Sequence, residues 1–160
     1  MEEQQHTISV LVANKFGALA RIAGLFSGRG YNIESLTVNR THDPELSRMT
    51  IVSTGNEAVL EQIEKQLGKL VDVESVVELD STDYVERELV LIKVVAPSER
   101  RPEILSLVDI FGAKIPLVLK DKIVVELSGS SGKVENFISL ISDYGKIEIA
   151  RSGRTAIPRK

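Results

Sequence analysis

Residues 12–36 read VANKFGALARIAGLFSGRGYNIESL. The stretch opens on the end of an extended apolar run, crosses a short loop containing Asn14 and Gly17, and enters about three helical turns in which Leu19, Ile22 and Phe26 recur at helical spacing. Gly28 and Gly30 punctuate the end, where glycine accepts the positive φ common at helix termini. Asn32 opens the next extended run. The result is a strand–helix–strand unit with an amide side chain at each exit of its helix.

The flanking sequence completes the pattern. Residues 6–14 alternate Ile8, Val10 and Val12 onto one face of a strand, and the runs NIESLTVNRT and SRMTIVSTG lie either side of HDPEL, whose Asp43 and Pro44 favour a reversal. They predict a hairpin. NEAVLEQIEKQLGKL sets Leu60, Ile63, Leu67 and Leu70 on one helical stripe, with Glu61, Glu64, Lys65 and Lys69 facing water, and VDVESVVEL supplies a fourth strand. Strand, helix, strand, strand, helix, strand is the ferredoxin-like arrangement, two helices covering one face of a four-stranded antiparallel sheet.

The acidic stretch DSTDYVERE at 80–88 interrupts this pattern, and the same order then repeats: ELVLIKVVA, SERRPEILSLVDIFG with Ile104, Val108 and Phe111 inward, KIPLVLKD, KIVVELSG, GKVENFISLISDYG with Val134, Phe137, Ile138 and Ile141, and KIEIARSG. The expectation is an α+β chain of two ferredoxin-like domains, residues 1–80 and 87–160, joined by a linker at 81–86. The halves share element order and little residue identity. Each buries a small core, so association through sheet edges or an open sheet face is expected.

Composition narrows the function. The chain has 160 residues, 42% hydrophobic and 27% charged, with a net charge of −3 that disfavours a nucleic-acid binder. It contains no cysteine, hence no disulfide, thiolate nucleophile or cysteine-ligated metal. The start MEEQQHTISV carries acidic residues where a signal peptide is basic, and no apolar run approaches a membrane span, so the expected compartment is the cytoplasm. His6 and His42 have no second ligand at metal spacing and read as solvated. The carboxylate pairs Glu2/Glu3 and Glu86/Glu88 sit in segments read as exposed, unsuited to acid–base work. No catalytic constellation emerges.

The loop before the first helix offers a different chemistry. Gly17 and Ala18 at the helix N-terminus would let a carboxylate approach unpaired backbone N–H groups. Asn14 can accept from an ammonium and donate to a carboxylate, and Asn32 begins the strand expected beside the first. An α-amino acid carries both groups; a helix cap at Asn14 and a turn at Asn32 is the competing reading.

The stretch ANKFGALARIAGLFSGRGYNIESLTV closely resembles the start of the ACT domain in the small regulatory subunits of acetohydroxyacid synthase, also called acetolactate synthase. LSRMTIV at 46–52, EQIEKQLGKLVDV at 61–73, VERELVLIKV at 85–94 and IARSG at 149–153 extend the resemblance through nearly the whole chain. It implies a non-catalytic homodimer that activates a catalytic large subunit and confers feedback inhibition by valine in branched-chain amino acid biosynthesis. Thiamine diphosphate, Mg and FAD are then expected on the catalytic partner, and no cofactor on this chain. The resemblance assigns Asn14, Gly17, Ala18 and Leu19 to one wall of the valine site, and Asn32 and Ile33 to the wall from the partner protomer. Ala20 stands where many relatives carry a hydroxyl, and Lys15 and Phe16 are bulkier than usual. Arg40 and Arg48 are candidates for contact with the catalytic subunit, with a solubilising role on a sheet edge as the competing reading. Two other readings stay open on the same fold: an amino-acid sensor for a different enzyme, and an acylphosphatase-like hydrolase, for which Arg21 lies too far into its helix.

Overall fold

The computed structural model describes residues 4–29, 31–79 and 84–160. Twelve elements follow one another: β1 (Gln4–Ala13), α1 (Ala18–Gly28), β2 (Asn32–Arg40), β3 (Leu46–Gly55), α2 (Glu57–Gly68), β4 (Val73–Leu79), β5 (Tyr84–Val95), α3 (Arg101–Phe111), β6 (Lys114–Val118), β7 (Lys122–Gly129), α4 (Ser131–Ser142) and β8 (Ile147–Pro158). They build two four-stranded sheets, ordered β2-β3-β1-β4 and β6-β7-β5-β8. In both, the first and third strands lie side by side at the centre, which is the ferredoxin-like order predicted from the repeat.

By contacts the chain divides into Met1–Val85 together with Arg154–Lys160, and Glu86–Gly153. Of the stretch read as a linker, residues 81–83 lie outside the described residues, and Tyr84, Val85 and Glu86 already run in β5. Glu2, Glu3 and Gly30 are likewise outside them.

In the first unit the pleat sends Ile8, Val10 and Val12 of β1 and Met49 and Ile51 of β3 to one face, where they meet Ala18, Ile22 and Phe26 of α1 and Leu60, Ile63 and Leu67 of α2. The helical positions differ from the expected set at one place. Ala18, four residues before Ile22, faces the core, while Leu19 is 44% exposed. The α1 terminus also departs from expectation, because Gly28 lies within the helix and the C-cap is Arg29 at φ −108°. Asn56 caps α2 as a sequence would suggest, its side chain accepting from Val59 N at 2.9 Å.

The face of this sheet opposite the helices is not open. Ala156 N donates to Thr50 Oγ1 at 3.2 Å, Arg154 N to Ser35 Oγ at 3.1 Å and Arg154 Nη2 to Gln5 Oε1 at 2.7 Å. Thr50 and Ala156 are both buried. The sequence expects residues up to Lys160 in the second domain, whereas these last seven residues pack with the first unit. Gly153 immediately precedes them at φ 83°, a backbone geometry that a side chain would strain.

In the second unit, Val90, Ile92 and Val94 of β5 and Ile123, Val125 and Leu127 of β7 pack against Ile104, Leu107 and Val108 of α3 and Val134, Phe137 and Ile141 of α4. Glu88, read as exposed, is 3% exposed. It is buried because Arg151 reaches it with two hydrogen bonds, Nε to Oε1 at 2.6 Å and Nη2 to Oε2 at 3.0 Å, and also bonds Glu135 at 2.6 Å. Those acids push the Arg151 guanidinium to still higher pKa, so it stays charged. Among the described residues, no helix is long and apolar enough to cross a membrane.

Candidate functional site

The β1–α1 loop is held from both sides. Asn14 N donates to Glu45 O at 2.8 Å, and Asn14 Nδ2 to Pro44 O at 3.0 Å, tying the loop to the turn that precedes β3. Asn14 is therefore not the cap of α1. Gly17 holds that position in the left-handed conformation, φ 83° and ψ −7°, with no side-chain hydrogen bond to the helix terminus and no acidic residue in the first turn. The positive end of the α1 dipole is thus left without a side-chain acceptor.

Beside this terminus is a cleft of about 360 Å³. Val12, Ala13, Asn14, Lys15, Ala18 and Leu19 line it from β1, the loop and α1; Val38, Asn39, Arg40, Ser47 and Met49 line it from β2 and β3. Strand register explains why these come together. Arg40 stands opposite Ser47 and Val38 opposite Met49 on the β2–β3 ladder, while Ser47 also faces Val12 across β1–β3. Alternate residues of three adjacent strands therefore floor one cleft, and α1 closes its side.

The lining is unbalanced in charge. It contains Lys15 and Arg40 and no acidic residue. Among the described residues neither side chain has a hydrogen-bond or ion-pair partner; their backbones are engaged, Arg40 N donating to Asn39 Oδ1 and Lys15 N to Ala13 O, each at 2.8 Å. Ser47 is 7% exposed, and its hydroxyl likewise has no partner among the described residues. By contrast Arg21 is committed to Asp72, which removes it as a candidate phosphate ligand for a hydrolase. Arg48 is committed to Ser9, donating from Nη1 to Oγ at 2.8 Å.

Of the residues assigned to an effector, the structure brings Asn14, Ala18 and Leu19 into this cleft, with Gly17 adjoining it as the cap. Asn32 and Ile33 do not line it. Asn32 is exposed at the start of β2, its Nδ2 donating to Glu34 Oε1 at 2.7 Å, and Ile33 is half-buried against the core. Sequence reading did not place Ser47, Val38, Asn39 or Met49 at the site, and it gave Arg40 a different role. The available signal was the hairpin: residues an equal distance either side of the Asp43–Pro44 peptide pair across the ladder, so Arg40 and Ser47 share a row.

A second polar group lies elsewhere in this unit. His6 Nδ1 is 3.5 Å from Glu78 Oε1, and His6 Nε2 and Glu64 Oε1 are buried without hydrogen-bond partners among the described residues. His6 is thus more enclosed than its place near the chain start suggests. Burial, followed by repulsion from Glu78 and Glu61, raises the Glu64 pKa, and His6 opposes the rise.

Residues 8–75 match the ACT domain described as AHAS small subunit-like, and residues 87–160 match the family described as small subunit of acetolactate synthase. The chain is 52% identical over 153 residues to the acetolactate synthase isozyme 3 small subunit of Escherichia coli (strain K12), covering 95% of this chain and 94% of that one. It is 50% identical over 153 residues to the acetolactate synthase small subunit of Haemophilus influenzae, with the same coverage of 95% and 94%. The crystal structure of the small subunit from Thermotoga maritima superposes with a TM-score of 0.88 at 43% identity, covering 98% of each chain. With two family models spanning both halves and relatives near 50% identity along almost its full length, the chain belongs to the family of acetolactate synthase small subunits.

Proposed function

We propose that this protein is the cytoplasmic regulatory subunit that activates the catalytic subunit of acetolactate synthase and makes it subject to feedback by valine in branched-chain amino acid biosynthesis. The observation that carries the effector reading is the cleft beside the uncapped N-terminus of α1, which joins unpaired positive charge to apolar walls of Ala18, Leu19, Val38 and Met49. A small amino acid with a branched side chain presents complementary chemistry: a carboxylate for the positive end and a few carbons for the walls.

The assembly is a homodimer, in which Asn32 and Ile33 of the partner protomer close the site begun by Asn14, Gly17, Ala18 and Leu19. The exposure of Asn32 at the rim of β2 suits that role. Valine shifts the population between two arrangements of the dimer, and the catalytic subunit responds to the arrangement it contacts. The condensation of 2-oxo acids is carried by thiamine diphosphate, Mg and FAD on that catalytic subunit.

Reconstitution tests the reading. The pure protein shows no synthase activity with pyruvate and thiamine diphosphate; mixed with its own catalytic subunit, it raises turnover and introduces inhibition by valine. Equal turnover and equal valine response with and without it would remove the regulatory assignment.

A further inference from the structure

The cleft says more about its ligand than that it is an amino acid. We propose that Arg40 and Ser47 hold the ligand's carboxylate, and that this wall recognises a small branched aliphatic acid by carboxylate and carbon chain without requiring an ammonium group. The inference rests on reading the cleft as the effector site.

Three observations support it. The first is charge. Among the described residues the Lys15 and Arg40 side chains line the cleft without partners, and no lining residue is acidic, so an ammonium placed on this wall meets repulsion and no counter-charge. A carboxylate there gains both cations and the adjoining helix terminus. The second is Ser47. Ser47 is 7% exposed, its hydroxyl has no hydrogen-bond partner among the described residues, and it opens onto the cleft floor. A ligand oxygen would satisfy it.

The third is spacing. Arg40 and Ser47 face each other in one ladder row, and Val38 and Met49 face each other two residues along. Rows two residues apart lie about 7 Å from one another. A carboxylate seated on the polar row therefore lays a branched chain of a few carbons onto the apolar one. Any preference for the ammonium comes from neutral acceptors, the amide oxygens of Asn14 in the cleft and of Asn32 on the opposite wall, and adds to binding that the carboxylate and carbon chain already supply.

Titration calorimetry on the full chain decides the matter with three probes: valine, 3-methyl-2-oxobutanoate, which replaces the amine by a carbonyl, and isobutylamine, which lacks the carboxylate. Both acids bind and isobutylamine does not. Arg40→Gln weakens both acids about tenfold to hundredfold, as expected for a charge-assisted hydrogen bond. Ser47→Ala weakens them several-fold without lowering the unfolding temperature, because the hydroxyl it removes has no partner among the described residues. Arg40 is exposed, so its variant keeps the wild-type circular dichroism spectrum. The assignment is overturned by unchanged affinities in Arg40→Gln, by isobutylamine binding as well as valine, or by valine binding while the oxo acid does not. If wild-type protein binds neither acid, the effector reading falls and the inference with it. If valine binding is lost in Asn32→Ala yet intact in Arg40→Gln, the effector reading stands and the carboxylate assignment alone is overturned.

Discussion

Glu88 keeps its charge at 3% exposure because Arg151 answers it with a two-pronged pair. Removing one partner of such a pair leaves a desolvated charge, which costs more than the pair itself contributes. Arg151→Met should therefore lower stability by about 3 kcal/mol, at the low end of the range for broken buried pairs because the guanidinium is partly exposed. Urea unfolding followed by circular dichroism measures it, and a loss below about 0.5 kcal/mol would place this pair with ordinary surface ion pairs. Glu64 behaves in the opposite sense. Its pKa is raised in the folded chain, so the folded state holds the proton more tightly than the unfolded state. Its contribution is favourable below the unfolded carboxylate pKa and is lost as pH rises through the higher folded value. Glu64→Gln is accordingly expected to stabilise the protein at pH 7, with the advantage over wild type shrinking toward zero below the ordinary carboxylate range; denaturant midpoints at pH 7 and pH 4 check the sign.

At the scale of elements, α1 and the end of β8 show how local sequence and packing divide the work. The left-handed Gly17 that caps α1 has room for a Cβ, whose nearest neighbour among the described residues would be Arg21 Nη1 at 3.8 Å, so its constraint is the backbone angle and not space. Gly17→Asp combines that strain with a negative charge at the cleft, and is expected both to abolish valine binding and to lower stability by about 1–2 kcal/mol. Calorimetry and thermal unfolding read the two effects separately. The last residues of β8 are held by hydrogen bonds to Ser35, Thr50 and Gln5. Deleting Arg154–Lys160 should expose the buried Thr50 and increase binding of a hydrophobic dye, whereas deleting Arg159 and Lys160 alone, both exposed, should change neither dye binding nor the melting temperature. An unaltered melt in the longer deletion would show that this segment merely rests on the sheet.

Across the whole molecule there are two separate cores, each closed by its own pair of helices. A fragment ending at Leu79 contains one complete core and lacks the segment that covers the other face of its sheet. It should fold and unfold cooperatively, at a lower temperature than the intact chain; a fragment without secondary structure by circular dichroism would show that the segment from Arg154 is required for folding.

Much of this architecture was legible in residue order. Apolar residues at period two and at three or four residues set the twelve elements, since each must bury one face, and the repeat of element order set the ferredoxin-like topology. Asn14 and Ala18 were readable at the cleft because a glycine-bearing loop before a helix is a local feature, whereas Leu19 came to it only through the family resemblance. Three other matters belonged to tertiary structure. Glu88 sits in a charged run that reads as surface, and only Arg151, 63 residues later, accounts for its burial. Residues 154–160 follow the second half in sequence but find their hydrogen-bond partners in the first, because exposed backbone and hydroxyl groups pair with whatever the fold brings near. Arg40 and Ser47 meet because antiparallel pairing sets distant residues in one row; periodicity along a single strand determines which face a side chain takes, and only the register between strands determines which side chains share a site.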